Sequence, residues 1–171
     1  MHMTSRFNIR HVPQHHPDCC VALSGGFIEL LASHLPKSPE LVLSIGCGSG
    51  LLEFLLQSQD DRLDLRAIEV DRAVPQYLPE SCVSIVDGTW ATHPVASEAA
   101  AWMFVYPREP KLVRLYIERH MSPLLRSIVW IGPRNDWSDY ERLFEHPSWE
   151  VKTMDNSSMI AYEVTVLIRL P

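Results

Sequence analysis

Apolar and polar positions follow two different periods along this chain, and the switches between them mark out its elements. Leu41-Val42-Leu43 and Ile45 form an apolar run without polar alternation, which predicts a parallel strand covered on both faces over 41–45. Gly46, Gly48 and Gly50 end that run, and LLEFLLQ resumes as a helix over 51–58, apolar nearly all round and therefore buried. Further strands are predicted at about 63–69, 82–86, 101–106 and 127–131, the last closed by Gly132-Pro133. The connection 72–81 carries Pro75 and Pro79 and is too short for a full helix, so it reads as a trimmed crossover. Residues 90–99 form another short connection, with a turn of helix after Pro94. Full helices are predicted over about 25–35, with Phe27, Ile28, Leu30, Leu31 and Leu35 inward, and from Glu109-Pro110 to about His120. In the second, proline takes the first helical position, where its missing N–H costs nothing. Ser138-Asp139-Tyr140-Glu141 matches a capping box and predicts a helix that ends near Pro147.

The tail changes period. Residues 149–153 alternate, 155–158 turn and 159–170 alternate again, the pattern of an antiparallel hairpin. Strands alternating with helices and finished by such a hairpin predict an α/β fold. The expected architecture is a doubly wound, mostly parallel seven-stranded sheet with a C-terminal antiparallel hairpin and helices on both faces. Residues 1–22 show no clear periodicity and read as an N-terminal arm, which leaves 23–171 as a single domain. A length of 171 residues suits one domain with a real core.

The run LVLSIGCGSG sets strand, bare turn and helix N-terminus in sequence. Free N–H groups at the helix start point back at a turn where no Cβ blocks a ligand, a cradle for an anionic or strongly hydrogen-bonding group. Spacing separates the candidate ligands. The dinucleotide fingerprint G-x-G-x-x-G/A places its third small residue where this chain has Leu51, whereas the glycines here follow G-x-G-x-G. With its strand, SIGCGSG resembles motif I of the class I, Rossmann-like S-adenosylmethionine-dependent methyltransferases. RAIEVD then ends a second strand in acid, with Glu69 about 20 residues beyond the turn, where nucleotide-binding α/β folds put the carboxylate that grips ribose hydroxyls. Asp71 is the alternative for that duty, or a solvated helix cap. CVSIVDGTW looks like the family segment whose acid accepts from the adenine amino group. Val86 stands where glycine is frequent, and Asp-Gly is also ordinary turn chemistry.

The resemblance covers roughly 40–170 and implies S-adenosyl-L-methionine as cofactor. It sets that cofactor against Ser44, Gly46, Cys47, Gly48 and Gly50, then Glu69 and Val70, then Asp87 and Gly88. It implies a methyltransferase with its pocket at the C-terminal ends of the parallel strands. After the fourth strand the chain reads Val105-Tyr106-Pro107-Arg108-Glu109. Family members that methylate nucleobase amines or glutamine carry Asn or Asp and then Pro-Pro with an aromatic there, so an acceptor of the nucleobase type is disfavoured. Tyr106 is the candidate pocket wall or donor and Arg108 the candidate anchor for an anionic acceptor; strand-end packing and a surface charge are the alternatives. Trp90 and His93 line the adenine or acceptor side, or pack on its rim.

Composition narrows the classes. A net charge of −6 argues mildly against nucleic acid as substrate, because phosphate binding wants a basic surface. No stretch approaches the ~20 apolar residues of a membrane span, and no secretory signal opens the chain. Four scattered cysteines fit a reduced, cytoplasmic protein. His11, His15, His16, Cys19 and Cys20 invite a metal reading, but adjacent ligands rarely close a tetrahedron and the usual finger spacings are absent, so no metal is expected. Because arms often cover the site in the resembled family, one of these histidines is a candidate base. The resulting expectation is a methyltransferase acting on a small molecule. A non-catalytic cofactor- or partner-binding relative is the alternative, and a nicotinamide oxidoreductase comes third.

Overall fold

The computed structural model describes residues 8–154 and 157–171. The chain enters through an antiparallel hairpin of β1 (Gln14–His16) and β2 (Cys19–Leu23). Ser24 leaves β2 in extended conformation and caps α1 (Gly25–His34), its hydroxyl accepting the Phe27 N–H at 3.1 Å. There follow β3 (Leu41–Ile45), α2 (Leu51–Gln59), β4 (Asp64–Glu69) and β5 (Val83–Ile85). Next come β6 (Ala99–Val105), α3 (Pro110–His120), β7 (Ser127–Pro133) and the single-turn α4 (Trp137–Tyr140), before β8 (Glu150–Thr153) and β9 (Glu163–Arg169).

Seven strands form one sheet in the order β5-β4-β3-β6-β7-β9-β8. The first five are mutually parallel, and β9 inserts antiparallel between β7 and β8. Side chains of successive strand residues point to opposite faces, so each central strand feeds two cores. On β6, Ala101 and Met103 pack with α1, α2 and the hairpin, while Trp102 and Phe104 face α3 and the α4 segment. Trp102, Phe104 and Tyr116 meet edge to face with centroids 6.1 to 6.4 Å apart, a geometry that adds to their area burial. Both faces are thus covered, as the unbroken apolar runs require. Among the described residues no helix is long and apolar enough to cross a membrane.

The trimmed crossovers are present: a 3₁₀ turn at Glu80–Cys82 precedes β5 and another at Pro94–Glu98 precedes β6. Three local expectations need correction. Within the arm expected over 1–22, residues 1–7 lie outside the described part, but 14–23 form the hairpin, and Val21, Ala22 and Leu23 are buried. Its apolar half is too short to display a period. The strand expected over 101–106 begins at Ala99 and stops at Val105, because Tyr106 turns to a φ of 50°. The helix expected from the capping box is replaced by 3₁₀ turns at Arg134–Asp136 and Glu141–Phe144 around α4. Ser138 caps nothing; its hydroxyl donates to the Asn135 carbonyl. Aromatic packing sets the register instead: Trp137 stacks on Phe144 at 5.7 Å and Trp130 meets both Trp137 and Tyr140. Of the turn expected over 155–158, Asp155 and Asn156 lie outside the described residues.

Candidate functional site

The β3–α2 turn needs its glycines. Gly46, Gly48 and Gly50 have φ values of 78°, 56° and 80°, a left-handed backbone that costs other residues ~1–2 kcal/mol each. Their surroundings differ. A Cβ on Gly50 would lie 2.7 Å from Leu78 Cγ, so this glycine serves packing. Cβ atoms on Gly46 or Gly48 would meet nothing within 4 Å, so these two face open space. Cys47 lies between them, its thiol directed at the Gly48 carbonyl and held protonated by burial, which pushes its pKa far up. It is a small filler and no thiolate nucleophile.

Glu69, at the end of β4, binds this turn. Its Oε2 accepts the Gly48 N–H at 2.9 Å and its Oε1 the Val70 N–H at 2.8 Å. A carboxylate offers about four acceptor directions, so two are spent locally and two remain. Asp71 is exposed and caps the Ala73 N–H at 2.9 Å, turned to its own loop.

Two cavities meet at the turn. One of about 410 Å³ lies between the glycines, the start of α2 and hairpin residues 17–20. The other, about 210 Å³, is walled by Gly46, Gly48, Glu69, Val70, Thr89 and Trp90 on one side and Tyr106, Arg108 and Glu109 on the other. Gly88, with a φ of 119°, and Val86 border a small recess of about 40 Å³ next to Glu69. Asp87 is exposed and lines neither of the two larger cavities. Ser44 is fully buried under the turn, donating to Glu53 Oε1 at 2.5 Å.

Tyr106 is the one non-glycine among the described residues with positive φ. Its hydroxyl donates to Glu163 Oε2 at 2.5 Å, and the fully buried Glu163 also accepts the Ala22 N–H at 3.0 Å. Burial and this bond push the Tyr106 pKa far up, so the phenol is a fixed donor. Arg108 is exposed on the cavity rim. Beside it, Trp90 donates its indole N–H to Glu109 at 3.2 Å and carries the Lys111 ammonium 4.1 Å above its ring. His93 lies in neither cavity and caps the Pro94–Glu98 turn through Nδ1. His11 and His15 are exposed, His16 accepts the Asp18 N–H, and none lines the cavities; Asp18, Cys19 and Cys20 do. Among the described residues no group of three His, Cys, Asp or Glu side chains is placed to hold a metal. Two buried carboxylates, Glu53 and Glu163, have no place in the sequence expectations. The signal for Glu53 was a lone acid in an otherwise apolar helix.

Comparison with solved structures finds the same architecture in precorrin-6y C5,15-methyltransferase from Geobacter metallireducens GS-15. The TM-score is 0.61 at 11% identity, over 92% of this chain and 93% of that one. A SAM-dependent methyltransferase from Aquifex aeolicus matches with TM-score 0.60 and 15% identity, over 84% and 88% of the two chains. A dimethyladenosine transferase from Plasmodium falciparum matches with TM-score 0.56 and 18% identity, over 93% and 63%. No family model matches the sequence and no curated protein matches it. The chain has the class I, Rossmann-like methyltransferase fold.

Proposed function

We propose that this chain binds S-adenosyl-L-methionine and transfers its methyl group to a small-molecule acceptor. The observation that carries this reading is the open space beside Gly46 and Gly48, bordered by a Glu69 carboxylate with acceptor capacity to spare. The residues present fit the cofactor. Glu69 would hold the ribose hydroxyls, with the Val70 backbone beside them. Val86 and Gly88 would flank the adenine, whose amino group has Asp87 as its nearest acid in sequence, and the 410 Å³ cavity would take the amino-acid end. When bound, the sulfonium supplies the activated carbon, and the protein's task is alignment.

The acceptor would enter the 210 Å³ cavity, walled by the Tyr106 ring, with Arg108 and Trp90 on its rim as contacts for an anionic or aromatic molecule. A net charge of −6 supports a small acceptor over nucleic acid, and four free cysteines suit a cytoplasmic setting. Leu51, buried where the dinucleotide pattern wants glycine or alanine, weighs against a nicotinamide cofactor. A second reading, cofactor binding without transfer, is favoured by one observation: the Tyr106 hydroxyl is committed to Glu163 and so is not offered as a base. The two are separated by scoring S-adenosylhomocysteine formation across a panel of phenols, amines, thiols and carboxylic acids. Turnover well above an arm-truncated background supports the enzyme; tight cofactor binding without turnover supports the second reading.

A further inference from the structure

Glu53 stands in the first turn of α2 and is 1% exposed. Its Oε1 accepts the Ser44 hydroxyl, and its Oε2 has no hydrogen-bond partner among the described residues. The groups that face it from the surrounding elements are Ser44 on β3, Glu69 at the end of β4, Cys47 in the turn and Cys19 on β2, with no cation among them. Burial pushes the Glu53 carboxyl up to about 7 and the Cys19 thiol up to about 12. Oε2 stays without a partner among the described residues in either state of the carboxyl. Ionised, it lacks a donor; protonated on Oε1, the carboxyl can donate to the Ser44 hydroxyl but leaves Oε2 an unpaired acceptor. A buried carboxyl oxygen without a partner is costly, and a donor brought by a ligand would satisfy it. Glu53 forms part of the wall of the 410 Å³ cavity, together with Gly46–Ser49 and the hairpin residues Asp18 to Cys20.

We infer that Glu53 is the counter-charge for a primary ammonium group that a ligand carries into this cavity, specifically the α-ammonium of the cofactor's amino-acid end. The assignment rests on the cofactor reading above. An ammonium suits the position because it is a compact cation with donors only, matching an acceptor-only carboxylate that has one oxygen free. Ser44 fixes the other oxygen and so orients the group. The carboxyl must be ionised to serve, so ammonium binding and loss of the Glu53 proton are coupled.

The test is calorimetry of S-adenosylhomocysteine and of its deaminated analogue, in which hydrogen replaces the α-amino group. Wild type is expected to prefer the amino form by about tenfold to a hundredfold, and Glu53→Gln, confirmed folded by circular dichroism, to reduce the preference to within about twofold. Equal binding of both ligands by wild type, or full preference retained in Glu53→Gln, overturns the assignment while leaving the cofactor reading intact. Binding of neither by wild type overturns both. If Glu53→Gln does not fold, the wild-type pH profile decides. Affinity for the amino ligand is expected to rise between about pH 6 and pH 8 as Glu53 ionises, and affinity for the deaminated analogue is not. Parallel profiles overturn the assignment.

Discussion

Tyr106 and Glu163 are joined by a hydrogen bond of 2.5 Å that ties the end of β6 to the antiparallel strand β9. Glu163 also accepts the Ala22 N–H, so one buried carboxylate pins the cavity wall and the N-terminal hairpin together. The Tyr106 N–H donates to the Ile131 carbonyl at 2.7 Å, which helps hold its backbone at a φ of 50°. Tyr106→Phe removes the hydroxyl donor from a fully buried acid. It is expected to lower unfolding stability by about 1–3 kcal/mol, measured by chemical denaturation. Methyl transfer per folded molecule is expected to persist, since the hydroxyl serves the scaffold; loss of transfer at unchanged cofactor affinity would instead make it catalytic.

Glu69 is expected to grip ribose. Glu69→Gln keeps the shape but loses the charge and one acceptor site, and is expected to weaken S-adenosylhomocysteine binding about tenfold to a hundredfold in calorimetry. Asp71→Asn, which changes only an exposed cap, is expected to have little effect. A 2′-deoxyribose analogue should bind wild type poorly and lose little more in Glu69→Gln. The reverse pattern, with Asp71→Asn damaging and Glu69→Gln silent, would transfer the ribose role to Asp71.

Glu53 gives ligand-free stability a pH dependence. Burial pushes its folded pKa up to about 7 from the ordinary carboxyl value of 4.5. Its contribution to stability is therefore fully present below about pH 4.5 and is lost as pH rises through about 7. The span corresponds to about 3 kcal/mol. Denaturation at about pH 5 and pH 8 is expected to show that extra loss in wild type and not in Glu53→Gln. Identical pH slopes in the two proteins would show that Glu53 ionises freely when folded.

The glycines separate packing from binding. Gly50→Ala drives a Cβ to 2.7 Å from Leu78 at a φ of 80°, and is expected to cost roughly 2 kcal/mol or more of stability. Gly48→Ala meets no atom within 4 Å, so its stability cost is limited to backbone strain of ~1–2 kcal/mol, while cofactor affinity falls. Thermal melts and binding isotherms on both variants check the contrast.

Features that occupy long, strongly periodic segments were legible in the sequence. The run from Leu41 to Gly50 announced strand, turn and helix because all three signals change within ten positions, and the same turn with Glu69 lines the cavity for which cofactor binding is proposed. The hairpin of 14–23 was illegible because its apolar half spans only the CVAL stretch beside polar Gln14–His16. Tertiary packing overrode the capping box at Ser138, where Trp130, Trp137 and Phe144 decide the register. Glu163 was hidden because it falls with Thr165 and Arg169 on the polar phase of an alternating strand, which reads as solvent-facing, whereas the structure buries both faces of β9 from Glu163 to Ile168. Glu53 was hidden differently: LLEFLL reads as apolar as a whole, and only the structure reveals that its single acid has one oxygen without a partner.

The most direct test of the cofactor assignment is calorimetry of the full chain against S-adenosylhomocysteine and NAD, with Gly48→Ala alongside. Saturable one-site binding of S-adenosylhomocysteine, no heat with NAD and clearly weakened binding in a folded Gly48→Ala protein are the expected results. NAD binding, or S-adenosylhomocysteine affinity unchanged in Gly48→Ala, would contradict the placement of that cofactor against the glycine turn.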